Sequence, residues 1–449
     1  MHPIHFDLLL TSEGWRRDVT VAVAGGRVSA LVPGRSPGAP SHRIGVPGLP
    51  NLHSHAFQRG MAGLTETRGA GPDSFWSWRD VMYRFALAMT PDDVEAVASE
   101  LYVEMLEAGF TRVGEFHYLH HAPDGHPYDD VAEMGTRIAA AAGTAGIGLT
   151  LLPVFYARAG FDGAPAGGGQ RRFACDLDRY AALLAGSERA IAGLDGANLG
   201  VAPHSLRAAA PGELGAVAAM AGGRPVHIHV AEQVKEVEDC MAQRGARPVA
   251  WLLDHAPVDA HWCLIHATHM TDAECAALAA RGAVAGLCPV TEANLGDGIF
   301  DAPRFRDAGG RFGVGSDSNV AIDAAGELRQ LEYSQRLARR ARNVLAPPGG
   351  STGEALFTAA LAGGAAALGQ AGAGLAAGAP ADIVSLDADH PALAGHGPAT
   401  VLDAWVFGAG TALVDAVWTR GIQQVAGGRH RHRDVVRRRF AASMARLAG

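Results

Sequence analysis

The chain has 449 residues, a formal charge of −8, and 48% apolar against 19% charged residues, which is ample for a large core and argues against disorder. Lys235 is its only lysine, so a phosphate loop of the Gly-Lys-Ser/Thr type is excluded, and Schiff-base chemistry would have to use that one residue. The mildly acidic balance argues against nucleic acid as a partner.

The N-terminal stretch MHPIHFDLLLTSEGWRRD lacks a basic start followed by a long apolar run, so no signal peptide is expected. Residues 1–47 alternate in short β-rich runs, with a Gly-Gly turn at Gly25–Gly26. The same texture returns in DIVSLD, ATVLDAWVFG and LVDAVWTRGIQQVAGG. Residues 1–47 and 372–430 are therefore expected to build one small β-sandwich domain from both chain ends. Between them, in residues 48–371, eight short apolar runs each end in polar or ionisable residues and lead into an alanine-rich helical stretch. They are IGVPGLPNLHSH, TRVGEFHY, GLTLLPVFY, NLGVAPHS, PVHIHVAE, CLIHATH, AVAGLCPVTEAN and FGVGSDSN. That rhythm predicts an α/β fold, a (β/α)8 TIM-like barrel with reactive groups at the C-terminal strand ends.

Gly160–Gly169 reads as a long surface loop. Ala355–Ala381 carries no charge but is mostly Ala and Gly, too weakly apolar for a membrane span, and reads as a small-residue helix plus a loop. The tail, residues 431–449, reads as a solvated basic helix, with His430 and His432 not expected to bind metal. Cys175, Cys240, Cys263, Cys275 and Cys288 are an odd, scattered set without a CxxC pair, which suits buried thiols in a reducing cytoplasm.

His53 and His55 lie two apart in a predicted strand, so their rings leave one face and can share a metal. His229 ends the fifth run, His266 the sixth and Asp317 the eighth. Imidazoles plus a carboxylate suit a divalent transition metal with room for water. Zinc is the expectation, with iron or manganese as alternatives. His269, three residues past His266, competes with it for a place in the site.

This constellation resembles the amidohydrolase superfamily, in which strand one ends in HxH and strands five, six and eight supply His, His and Asp. The resemblance spans essentially the whole chain, including Gly374-Leu-Ala-Ala-Gly378-Ala-Pro-Ala-Asp382-Ile-Val near the return to the β domain. His229-Val-Ala-Glu232 resembles the HxxE of the deaminase branch. The resemblance implies His53, His55, His229 and Asp317 as metal ligands, with Asp317 also taking part in catalysis. It implies Glu232 as a proton shuttle and His266 as the residue that polarises nucleophile or leaving group. Binuclear members bridge two metals with a carbamylated lysine on strand four; NLGVAPHSLR has none, so one metal is expected.

Within that superfamily PNLHSHAFQRG, FWSWRD, GEFHYLHH, APHSLR and HIHVAEQ resemble the formimidoylglutamate deiminases of bacterial histidine degradation. The resemblance implies a cytoplasmic homodimer acting on N-formimidoyl-L-glutamate, a dianion bearing a cationic amidine. Such a substrate needs fixed positive donors for two carboxylates. Arg207 can fork onto one, and Arg79 is a second candidate that could equally be a surface salt-bridge arginine. Gln58, Tyr118 and His204 offer neutral or switchable donors, while Trp76 and Trp78 read as packing aromatics. The competing readings are a deaminase of the same branch acting on a purine, pterin or other amidine, and a catalytically silent barrel that binds partners.

Overall fold

In the computed structural model, which describes residues 3–68 and 75–448, all eight apolar runs form parallel strands. Strands one to three are Leu49–Ser54, Phe110–His117 and Gly148–Phe155. Strand four is broken into Asn198–Leu199 and Ala202–Pro203. At the break, a Cβ on Gly200 would lie 2.7 Å from the Pro225 carbonyl, so only glycine lets the neighbouring chain come this close. Strands five to eight are Val226–Val230, Trp262–His266, Val284–Leu287 and Arg311–Val314.

Strands one to four pair in sequence, and so do five to eight. Bridges Val201–Val226 and Ser205–His229 join four to five, and Ser54–Asp317 joins one to eight. The sheet therefore closes into a barrel, which leaves no edge strand open to another chain.

The charge-free stretch begins as the helix Thr352–Ala367, and its small residues have a packing reason. A Cβ on Gly363 would sit 1.8 Å from the Phe312 carbonyl, and one on Gly364 3.1 Å from Pro50. The helix thus lies directly against strands one and eight. No helix among the described residues is long and apolar enough to cross a membrane.

Both chain ends meet in one continuous eight-stranded sheet. Ile383–Leu386 pairs antiparallel with Ser41–Pro47, which runs parallel to Ile4–Thr11. Phe6, Leu9, Val21, Ile383 and Trp418 belong to the buried core of this sheet.

The tail departs from expectation. Arg433–Ala448 is a helix, but it docks on the helix Pro91–Glu107 instead of standing in solvent. Arg433 pairs with Glu100 at 3.3 Å and Glu107 at 3.1 Å, Arg439 with Glu95 at 2.8 Å, and Arg446 with Asp93. Val436 is buried beneath these pairs. The arginines that suggested a solvated face answer an acidic stripe far away in sequence. His430 is buried with Nε2 2.9 Å from the Ala145 carbonyl, a structural role.

Candidate metal centre and cavity

Four side chains converge where the barrel closes. His53 Nε2 lies 3.2 Å from His55 Nε2 and 3.1 Å from His229 Nε2; Asp317 Oδ1 lies 3.1 Å from His55 Nε2 and 3.4 Å from His53 Nε2. The tautomers can be assigned for two of the rings. His55 Nδ1 faces the Phe116 carbonyl at 2.9 Å and His229 Nδ1 the His204 carbonyl at 3.0 Å. A carbonyl only accepts, so each Nδ1 carries the proton and each Nε2 presents a bare lone pair to the centre. Lone pairs and a carboxylate crowded together repel unless a cation lies between them. Donors at about 2.0–2.1 Å from a tetrahedral ion stand about 3.3 Å apart, which matches these separations. The residues present fit a divalent metal.

The electrostatics agree. Burial, only partly offset by Asp317, pushes His53 down to about 3, and burial with the neighbouring imidazoles holds His229 well below its ordinary value. Burial opposes the charge on Asp317, but the surrounding histidines, His53, His55 and His266, outweigh it and hold the carboxyl well below its ordinary value. A second donor group, His266, Cys288 and Asp317, shares Asp317 with the first. Burial and the nearby acids push the Cys288 thiol well above its ordinary value, against the thiolate that a metal takes.

The backbone around these candidate ligands is strained. Ala231, His266, Ala267, Asp317 and Asn319 all have positive φ, between 43° and 66°, at or just beyond the ends of strands five, six and eight. Non-glycine residues held there cost roughly 1–3 kcal/mol each and persist where surrounding structure fixes them. Asn51, Ser316 and Asn319 provide that fixation. Asn51 Nδ2 donates to Ser316 Oγ at 2.6 Å, Ser316 Oγ to Asn319 Oδ1 at 2.6 Å, and Asn319 Nδ2 to the His55 carbonyl at 3.0 Å.

Above the centre opens a cavity of about 520 Å³, lined by every candidate substrate residue: Gln58, Arg79, Tyr118, His204 and Arg207. Glu232 and His266 line it too. Glu232 Oε2 lies 3.9 Å from Arg207, and Glu232 Oε1 lies 3.9 Å from His266 Nε2. Burial pushes the Glu232 carboxyl above its ordinary value, with His266 and Arg207 pulling the other way. Burial disfavours charge on His266, yet Glu232, a bond to Glu292 and Asp317 together push it up to about 10. Its rival His269 instead bonds the Asp297 carbonyl at 2.9 Å and does not line the cavity. Arg207 Nε is buried without a protein partner. Gln58 Nε2 donates to the Tyr118 hydroxyl at 2.7 Å, and burial together with Arg207 keeps His204 neutral.

Several sequence readings change here. Gly160, Phe161, Asp162 and Ala164 wall the cavity, so the glycine-rich loop covers the site instead of merely running over the surface. Arg79 lies over the Tyr83 ring at 5.5 Å within the cavity wall, and Trp78 lines it as well. The side chain of Trp76 lies outside the described residues. Lys235 pairs with Asp239 at 2.8 Å, its side chain 57% exposed, and it also contributes to the cavity wall.

Two buried carboxylates escaped the sequence reading. Glu292 Oε1 lies 3.2 Å from His266 Nδ1 and accepts from the Cys288 amide at 2.9 Å. Glu115 accepts from the Ala56 amide at 2.7 Å and the Tyr102 hydroxyl at 3.1 Å, and burial pushes its carboxyl up to about 7. An acid inside an apolar strand, as in GEFHY, was the available signal for Glu115.

A closed barrel with His and Asp donors at its strand ends defines a class, and the chain belongs to the amidohydrolase family, whose model matches residues 44–423. Residues 1–44 match the model described as formimidoylglutamate deiminase HutF, N-terminal domain. Over its whole length the chain is 48% identical to the formimidoylglutamate deiminase of Pseudomonas aeruginosa, covering 100% of both. Among solved structures, an amidohydrolase from Brucella melitensis is 58% identical over 100% of both chains, with a TM-score of 0.97. An adenosine deaminase from Xanthomonas campestris with bound zinc shares the fold at 22% identity and a TM-score of 0.83, covering 99% of this chain and 98% of that one.

Proposed function

We propose that this chain hydrolyses N-formimidoyl-L-glutamate to N-formyl-L-glutamate and ammonia, a step of histidine degradation. The observation that carries the reading is one cavity that combines the four-donor centre with Glu232 and the arginines Arg79 and Arg207. The aromatic wall would also suit a flat heterocycle, but a neutral heterocycle has no use for paired guanidiniums. A dianion does.

His53, His55, His229 and Asp317 would hold a single divalent ion, zinc by the donor set, whose Lewis acidity brings proton loss from water close to neutral pH. Glu232 takes the proton of the water that adds to the amidine carbon. It delivers that proton to the amidine nitrogen as water adds across the C=N bond; the C–N bond of the adduct then breaks as its hydroxyl gives up the second proton and becomes the formyl carbonyl, which releases ammonia. His266, its Nδ1 turned to Glu292, presents Nε2 to the reacting atoms beside Glu232. Arg207 forks onto one substrate carboxylate while Arg79, Gln58, Tyr118 and His204 orient the rest. We further propose that the enzyme works as a cytoplasmic homodimer, in keeping with five free, buried cysteines.

Ammonia release from N-formimidoyl-L-glutamate, with guanine and adenosine as controls, tests the reading. Metal analysis of protein purified without added zinc should give a ratio near one per chain. Turnover of a control purine in preference to the amidine would overturn the substrate. A reproducible ratio near two, lost together with activity, would overturn the single centre.

A further inference from the structure

The Glu232 carboxylate stands 3.9 Å from both Arg207 and His266, beyond hydrogen-bond distance of either. Its place is therefore set by the backbone that carries it. That backbone is the short turn between strand five and the helix Val234–Arg244, and it begins with Ala231 at a φ of 53°. A non-glycine residue stays in that region only where its surroundings hold it. The holding group is Glu236. Its side chain is fully buried, and its two oxygens divide between two amides: Oε1 accepts from Ala231 and Oε2 from Glu232, each at 3.2 Å. The carbonyl side of the turn is tied separately, with the Ala231 oxygen accepting from the His269 amide at 3.1 Å.

This is not the ordinary duty of a glutamate in the first turn of a helix. With Gln233 as the N-cap, Glu236 is the third helical residue, from which such a side chain usually reaches back to the N-cap amide. Here it reaches past that amide to the two residues before it. A glutamate placed only to answer the helix dipole could remain in solvent. A buried carboxylate needs bonded partners, and the partners of this one are the amides of the turn that presents Glu232. Glu232 lines the cavity and Glu236 does not, so Glu236 cannot meet the substrate itself.

We propose that Glu236 is a positioning residue for the reaction: by holding the amides of Ala231 and Glu232 it fixes the turn from which the Glu232 carboxylate reaches the reacting atoms. The inference rests on the proton-relay reading of Glu232 above.

A double-mutant cycle with N-formimidoyl-L-glutamate tests it, with Glu236→Gln and Glu236→Asp each made in the unmodified enzyme and in Glu232→Gln. Gln turns an N–H toward one of two amides that need an acceptor, and Asp keeps the charge but draws it back by one methylene. A catalytic group misplaced by about 1 Å can cost about 100-fold, so each variant should lower kcat about 10- to 100-fold, with KM little changed and metal content intact. In the Glu232→Gln background the same substitutions should lower kcat by less than about threefold, because the group they position is already gone. A residue that only supports the fold would lose the same factor in both backgrounds, and that result would overturn the assignment. So would an unchanged kcat in the unmodified background, or loss of metal or a melting temperature far below that of the unmodified enzyme in both variants. If one variant fails to fold, the other carries the test. Full turnover by Glu232→Gln alone would overturn the proton-relay reading and this one with it. A slow Glu232→Gln whose losses multiply with those at Glu236 would overturn the positioning role alone.

Discussion

Replacing Glu232 by glutamine separates activity from stability, and the structure gives a sign for each. The side chain is buried, 3.9 Å from both Arg207 and His266, with Asp317 and Glu236 also acting on it. Its carboxyl sits above the ordinary value, burial being the largest cause. A carboxyl raised by folding favours the native state while it is protonated, and that contribution is lost as pH rises through the folded value. At neutral pH the ionised group therefore costs stability, and the neutral amide should hold the melting temperature level or raise it. Turnover should move the other way. A positioned acid–base group contributes about 10²–10⁴-fold, or roughly 3–5 kcal/mol of barrier, and an amide cannot relay the proton. Glu232 is not among the four converging ligand atoms, so metal content should not change. Ammonia release, metal analysis and a thermal melt on one preparation check all three. Turnover within tenfold of the unmodified enzyme, or metal lost together with activity, would refute the proton-relay assignment.

Glu292→Leu should lower kcat about 10- to 100-fold with little change in KM, because His266 Nδ1 loses the carboxylate that aims the ring; matched losses in kcat and melting temperature would point to packing alone. Burial pushes His227 down to about 4 despite its bond to the Ala367 carbonyl. The unfolded chain therefore takes up a proton near 6.5 that the native one refuses, and stability should fall as pH drops from 6.5 to about 4. Urea denaturation along that range, repeated on His227→Gln, should show a shallower acid limb in the variant. Gly363→Ala should cost about 3 kcal/mol or more, since the new Cβ would lie 1.8 Å from a backbone carbonyl; an unchanged denaturation midpoint would contradict that packing.

The barrel was legible because each apolar run ends in polar or ionisable residues and leads into a helical stretch. The candidate ligands were legible because two-residue spacing places His53 and His55 on one face. The choice between His266 and His269 was less secure in sequence; what decides it is which ring turns into the barrel. The part that the glycine-rich loop plays in the cavity wall was not visible at all, since it depends on how Gly160, Phe161, Asp162 and Ala164 fold back over the mouth, and such a loop carries no periodicity. The tail misled for a related reason. Its arginines are complementary to Glu95, Glu100 and Glu107, and complementarity between segments so distant in sequence has no local signature.

The clasp between Ser54 and Asp317 has a consequence for how this protein comes into being. His53 and His55 lie at and just past the end of the first barrel strand and Asp317 just past the end of the last, so the proposed ligand set is complete only when the two ends of the barrel have met. Nothing short of a closed barrel presents the full set of donors, and whatever binding energy the ion contributes is delivered to that closing contact. During synthesis the chain must emerge through Asp317 before it can retain its metal tightly. If these four residues hold the ion as proposed, metal uptake is a late event, and bound metal marks molecules whose barrel has already shut.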